Sequence, residues 1–130
     1  MKATVSVWIG RILSALFVLF MLGASVTPKL MGMPIAEEIM HGLGWPPGYA
    51  FPIGVLELTL TLLYAYRPTS VLAAVLFMGL LGGAMATNLR ADQPLYSHTL
   101  FSLYLGLVMW GGLWLRDEKL RALFPWRRKD

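Results

Sequence analysis

The chain has 130 residues, 57% of them hydrophobic and 14% charged, with a mean hydropathy of +0.62. Soluble domains sit near ~45–50% apolar and ~25% charged, so the departure is towards the membrane and away from disorder. Cysteine is absent, which excludes disulfides, thiol redox chemistry and cysteine metal sites.

The first apolar run covers residues 5–26 and carries one charge, Arg11. A spanning helix needs ~17–25 mostly apolar residues, and this run fits. Lys2 and Arg11 could imitate the basic start of a signal peptide. The apolar character outlasts a signal h-region and no A-x-A site follows, so the run is expected to stay as a span. The connection 27–47 contains Pro28, Pro34 and the corner Trp45-Pro46-Pro47. Within it, PIAEEIMHGLG reads as a short amphipathic helix with Ile35, Ile39, Met40 and Leu43 as its apolar side. Such a helix lies at the membrane interface.

The second run, 48–66, holds one acid, Glu57. Arg67-Pro68-Thr69-Ser70 is a tight turn, with Thr69 or Ser70 available as an N-cap for the third run, 70–89. That run contains Gly79 and Gly83 in a GxxxG pattern extended by Ala86. The pattern predicts a close helix contact at Gly83, within the chain or with another protomer. Ala91-Asp92-Gln93-Pro94 leads to the fourth run, 97–115, and residues 116–130 form a basic tail. The expected fold is all-α: a single domain over 1–130, an integral membrane four-helix up-down bundle with a short interfacial helix between helices one and two.

Orientation follows from basic residues. Four spans put both termini on one side, with Lys2, Arg67, Arg116, Lys119, Arg121, Arg127, Arg128 and Lys129. The other side holds Lys29 and Arg90. The positive-inside rule then places both termini in the cytoplasm. This distribution explains the net charge of +4 as a topology determinant, and nucleic acid is not expected as a partner. Trp8, Trp110, Trp114 and Trp126 fall near the inner boundary, as an aromatic belt would.

Glu57 lies about nine residues into its run, ~13 Å deep at 1.5 Å per residue. An acid at that depth costs ~2.5–3.5 kcal/mol on translocon scales, so it should face the protein interior and find a partner. Thr61 and Tyr64 share its helical face. Candidate partners on the outer half are Ser25 and Lys29 at the end of helix one, Thr87, Asn88 and Arg90 at the end of helix three, and Ser97, His98 and Ser102 at the start of helix four. The outer half therefore reads as a polar cavity. Glu57 and His98 are its candidate catalytic or proton-handling pair, and Lys29, Thr61, Tyr64, Asn88, Arg90 and Ser102 its candidate ligand contacts. The plainer reading is that interhelical hydrogen bonds of Glu57 simply hold the bundle together, and that Lys29 and Arg90 anchor helices at the interface. Glu38 and His41 have E-x-x-H spacing. A di-iron bundle needs two such copies and two more carboxylates, so no metal site is expected.

The chain resembles the DoxX-like family of small membrane proteins. The resemblance is carried by PKLMGMP, GVLELTLTLLYAYRPTSVLAAVL, GGAMATNLRADQP and SHTLFSLYLGLVMWGGLWLRDEKLRAL, in that order. It implies a four-helix membrane bundle and a link to quinone and thiol redox systems. Many relatives carry His where this chain has Asn88. The resulting expectation is an inner-membrane protein whose outer cavity binds a lipophilic small molecule, with a quinone as the candidate and no covalently bound cofactor, accessory to a redox system. Its partners would be the lipid bilayer, that small molecule, and a redox-complex subunit or a second copy. Two alternatives stand: a membrane-embedded acid/base enzyme, isomerase-like, acting on a hydrophobic substrate, and a structural or assembly subunit.

Overall fold

The computed structural model describes residues 4–127. The described residues are helical and turn structure with no strand. Lys2, Arg128 and Lys129, used above for orientation, lie outside them.

Helix α1 runs Val5–Leu30, longer than the expected run. The expected run stopped at residue 26, ahead of Pro28. Instead a π-helical segment, Met21–Val26, precedes the proline. The N–H and Oγ1 of Thr27 both bond to the Leu22 carbonyl, and this wider turn lets the helix continue. Ser25 and Lys29 therefore sit in the last two turns of the helix, at its end as expected. Helix α2, Pro34–Gly42, is the expected short element, but its inward face differs. Ala36 and Met40 pack against Ala50, Trp45 and Ile53, while Ile35 and Ile39 are exposed.

Helix α3 covers Ala50–Ala65. At 1.5 Å per residue it is ~24 Å long, short of a ~30 Å hydrocarbon core. Gly48, with φ +92°, delays its start, and Tyr66, extended at ψ 117°, stops it ahead of Pro68. The hydroxyls expected to cap the next helix serve this one. Ser70 Oγ donates to the Tyr64 carbonyl at 2.6 Å and Thr69 Oγ1 to that of Leu63 at 2.6 Å. These are carbonyls that a helix end leaves without partners.

Helix α4 is Ser70–Arg90 and helix α5 is Leu95–Arg116, opening with a π-helical turn over Leu95–Thr99. Three helices, α1, α4 and α5, are long and apolar enough to cross a membrane; α3 is a shorter apolar companion. Helix α6, Glu118–Leu123, was not anticipated in the basic tail. Asp117 caps it by accepting from the N–H groups of Lys119 and Leu120. Leu120 is buried, Trp110 stacks on Phe124 at 4.9 Å, and Arg121 donates to the carbonyls of Trp114 and Leu115.

Helix α1 packs on α5 and α3, and α4 packs on α3 and α5. At the centre Phe17 meets Tyr64 and Phe77 edge-on, at 5.1 and 5.2 Å. The closest helix approach joins α1 to α5. A Cβ on Gly10 would lie 2.6 Å from the Gly112 carbonyl oxygen, and one on Gly112 would lie 2.9 Å from the Ser14 amide nitrogen. Within the chain, the predicted contact at Gly83 is not formed. Gly79, Gly82 and Gly83 have no atom within 4 Å of the Cβ position and face outward. The small residues that bring helices together are Gly10, Ser14 and Gly112. Leu16 and Leu19 of α1, Leu72, Val75 and Leu76 of α4, and Leu107 of α5 are large, apolar and exposed, an outer surface suited to lipid.

Candidate functional site

Glu57 points inward and is 8% exposed. Its carboxylate oxygen Oε1 forms an ion pair with Lys29 Nζ at 3.1 Å and accepts from Ser25 Oγ at 2.8 Å. Lys29 Nζ also donates to Ser25 Oγ at 2.9 Å and to the Ser25 carbonyl at 3.2 Å. Ser25 and Lys29 are one turn apart on α1, at the end of its π-helical segment. A glycine makes the approach feasible: a Cβ on Gly54 would lie 2.8 Å from Lys29 Cβ. The aliphatic stem of Lys29 thus lies against α3 about one turn before Glu57.

This arrangement has one open valence. Lys29 and the Ser25 hydroxyl spend their hydrogen bonds within the cluster. Glu57 Oε2 accepts no hydrogen bond from the described residues, and none of the side-chain nitrogens or oxygens fully buried among them lacks a partner. Oε2 is therefore reachable from outside the protein. It is an acceptor beside a cation, among apolar helices.

Thr61 and Tyr64 lie on the Glu57 face and both are buried, but neither bonds to the carboxylate. Thr61 Oγ1 donates to the Glu57 backbone carbonyl at 2.7 Å. Tyr64 belongs to a second cluster towards the other end of α3. Its hydroxyl donates to the Met109 carbonyl at 2.7 Å and lies 3.1 Å from Ser14 Oγ, which accepts from Arg116 Nε at 3.1 Å. Sequence reading missed Ser14 and Arg116 here. The signal that could have found them is the Gly10-x-x-x-Ser14 spacing opposite Gly111-Gly112.

The remaining candidates stand apart. His98 is exposed, and its Nδ1 lies 2.8 Å from the hydroxyl of adjacent Ser97. No hydrogen bond joins it to Glu57. Asn88 Nδ2 donates to the Ala84 carbonyl of its own helix at 2.8 Å. Arg90 Nη2 donates to the Leu43 carbonyl and holds the turn after α2, where Gly44 has φ +91°. Ser102 is buried on α5. Glu38 and His41 border a separate cavity of about 420 Å³ with Glu37 and Trp45. No group of three or more His, Asp or Glu among the described residues could hold a metal ion.

Comparison with curated proteins and with solved structures finds no match. Residues 12–112 match the model of the DoxX-like family. The match takes in the Ser25–Lys29–Glu57 cluster, the Ser14–Tyr64 contact and most of the three long apolar helices, and the chain belongs to the DoxX-like family.

Proposed function

We propose that this small membrane protein crosses an inner membrane four times, with both termini cytoplasmic, and binds the polar head of a lipophilic molecule at Glu57. The observation that carries the reading is the Lys29–Glu57 ion pair at 3.1 Å, placed among apolar helices with Oε2 still open. Intramembrane ionisable pairs are costly to bury and commonly mark ligand or ion sites. Because the donors of Lys29 and Ser25 are engaged within the cluster, the vacant role is that of acceptor. The head group that fits is a hydroxyl donor, and a quinol, the reduced member of a quinone couple, has that chemistry and the right lipophilicity. The chain would hold such a molecule for a redox partner, since it has neither cysteine nor a metal-binding cluster among the described residues.

In this reading α3 is short because its outer end meets a water-facing vestibule, covered by α2 and strapped by Arg90. Lys29 then lies at the mouth and Asn88, Ser102 and His98 nearer its rim.

Titrating the protein in nanodiscs with a short-chain quinol, the matching quinone and the quinol dimethyl ether tests the reading by thermal unfolding. The quinol is expected to raise Tm most, because only it donates to Oε2, and Glu57→Gln to remove the preference between quinol and ether. Equal stabilisation by all three compounds overturns the hydroxyl-donor assignment. Orientation is tested separately by introducing single cysteines into this cysteine-free chain. Trp45→Cys is expected to react with an impermeant thiol reagent in intact cells.

A structural reading is favoured by one fact, the pairing of every fully buried side-chain nitrogen and oxygen among the described residues. In that case none of the compounds shifts Tm.

A further inference from the structure

At the opposite end of α3 from Glu57, a cavity of about 380 Å³ opens between α1 and α3. Arg11, Arg116, Ser14 and Tyr64 form its polar end, and Val18 and Leu19 its apolar wall. We propose that this cavity is a binding site for an anionic phospholipid, with the phosphate between Arg11 and Arg116 and one acyl chain along Val18 and Leu19.

Among the described residues, neither arginine is paired with a carboxylate. Arg11 lies over the Trp8 ring at 4.9 Å, and Arg116 donates to Ser14 Oγ and lies 5.9 Å from the Tyr64 ring centre. The one ion pair among the described residues is the distant Lys29–Glu57. The nearest acids are otherwise placed. Asp117 caps α6 with its carboxylate, and Glu118 is exposed. Two guanidinium groups thus share one rim with free donors. Guanidinium binds phosphate in a bidentate, charge-assisted way, and basic pockets between apolar helices suit lipid head groups.

Position and length agree. Arg116 ends α5 and Arg11 lies within the first two turns of α1, near the end of the bundle where apolar helices meet the interface. From Arg11 to Leu19 α1 rises ~12 Å, so a phosphate at the arginines leaves its chain beside Val18 and Leu19. Leu19 in the wall and Leu16 beside it are exposed and continue the apolar surface outward. A free phosphate ion would use the arginines alone and leave that wall empty.

The test is native mass spectrometry of protein equilibrated in micelles with equal amounts of phosphatidylglycerol and phosphatidylcholine of matched chains. Phosphatidylglycerol is expected to be retained about tenfold over phosphatidylcholine, whose trimethylammonium would lie beside two guanidinium groups and be repelled by them. Arg11→Gln is expected to abolish that preference while Tm in phosphatidylcholine alone stays unchanged, because the Arg11 side chain is exposed and outside the Ser14–Tyr64 network. Arg116→Lys, which keeps the charge but not the fork, is expected to retain part of it. Equal retention of the two lipids, or an undiminished preference in Arg11→Gln, overturns the site. Displacement of the lipid by millimolar inorganic phosphate would show that the arginines bind the free ion and would overturn the acyl-chain assignment.

Discussion

Glu57 and Tyr64 lie on one face of the same helix, and their surroundings are opposite in kind. Tyr64 is wholly buried, its hydroxyl shared between the Met109 carbonyl and Ser14. It locks α3 to α1 and α5 where glycines bring those two into contact. Glu57 is held from α1 alone, by Ser25 and Lys29, and keeps one oxygen open. The difference teaches that burial of a polar residue in an apolar helix does not by itself mark a site. At Tyr64 the hydroxyl has its partners within the protein, while at Glu57 one carboxylate oxygen is left without one.

The comparison can be broken first at its rigid end. Gly112→Leu would force a side chain into the Ser14 backbone. It is expected to cost about 3 kcal/mol or more, or to prevent folding, read as loss of monodisperse protein and of Tm. A variant that folds and melts like the parent would mean that α1 and α5 are not in contact.

The next effect belongs to the ion pair. Lys29→Met leaves the Glu57 carboxylate without its cation and is expected to cost about 3 kcal/mol, in the range for breaking a buried pair. Tyr64→Phe should cost less, about 1–2 kcal/mol, since it removes one hydroxyl and its hydrogen bonds to the Met109 carbonyl and Ser14. It should leave the quinol-dependent Tm shift proposed for Glu57 unchanged. A larger effect of Tyr64→Phe than of Lys29→Met on ligand binding would reverse the assignment of the two clusters. The smallest effect is expected at Gly83→Leu, within about 0.5 kcal/mol, because the position is open. A loss that grows on dilution would reveal a second copy against α4.

Much of this architecture could be read from the chain. Apolar length gave the three long helices, and the cost of burying an acid placed Glu57 inward before any partner was known. Tertiary geometry decided the rest. The apolar run was read as 5–26, but the π-helical segment ahead of Pro28 carries α1 on to Leu30 and so presents Lys29 to Glu57. Local sequence does not reveal that an extra residue per turn will be inserted. The GxxxG pattern of Gly79 and Gly83 was the plainest packing motif, yet it faces outward, while the weaker Gly10–Ser14 pair meets Gly112. Small residues permit close approach, and which of them realise it depends on where the partner helix lies. His98 was grouped with Glu57 because an up-down bundle brings those helix ends to one side. Its exposure on the opening turn of α5 shows that sharing an end does not ensure contact. Helix α6 was hidden in a tail read for its charge, although Asp117 ahead of Leu120 and Leu123 was a legible cap and apolar spacing.

The central claim, that Lys29 and Glu57 act on each other as a charged pair inside the membrane-embedded part of the protein, is tested most directly by a double-mutant cycle. Unfolding free energies of the parent, Lys29→Met, Glu57→Gln and the double variant are measured in one bilayer mimic. The account predicts a coupling of about 1–3 kcal/mol, with the double variant more stable than Lys29→Met, because removing the acid relieves the unpaired charge. Additive effects, with Lys29→Met no worse in the presence of Glu57 than in its absence, would contradict it.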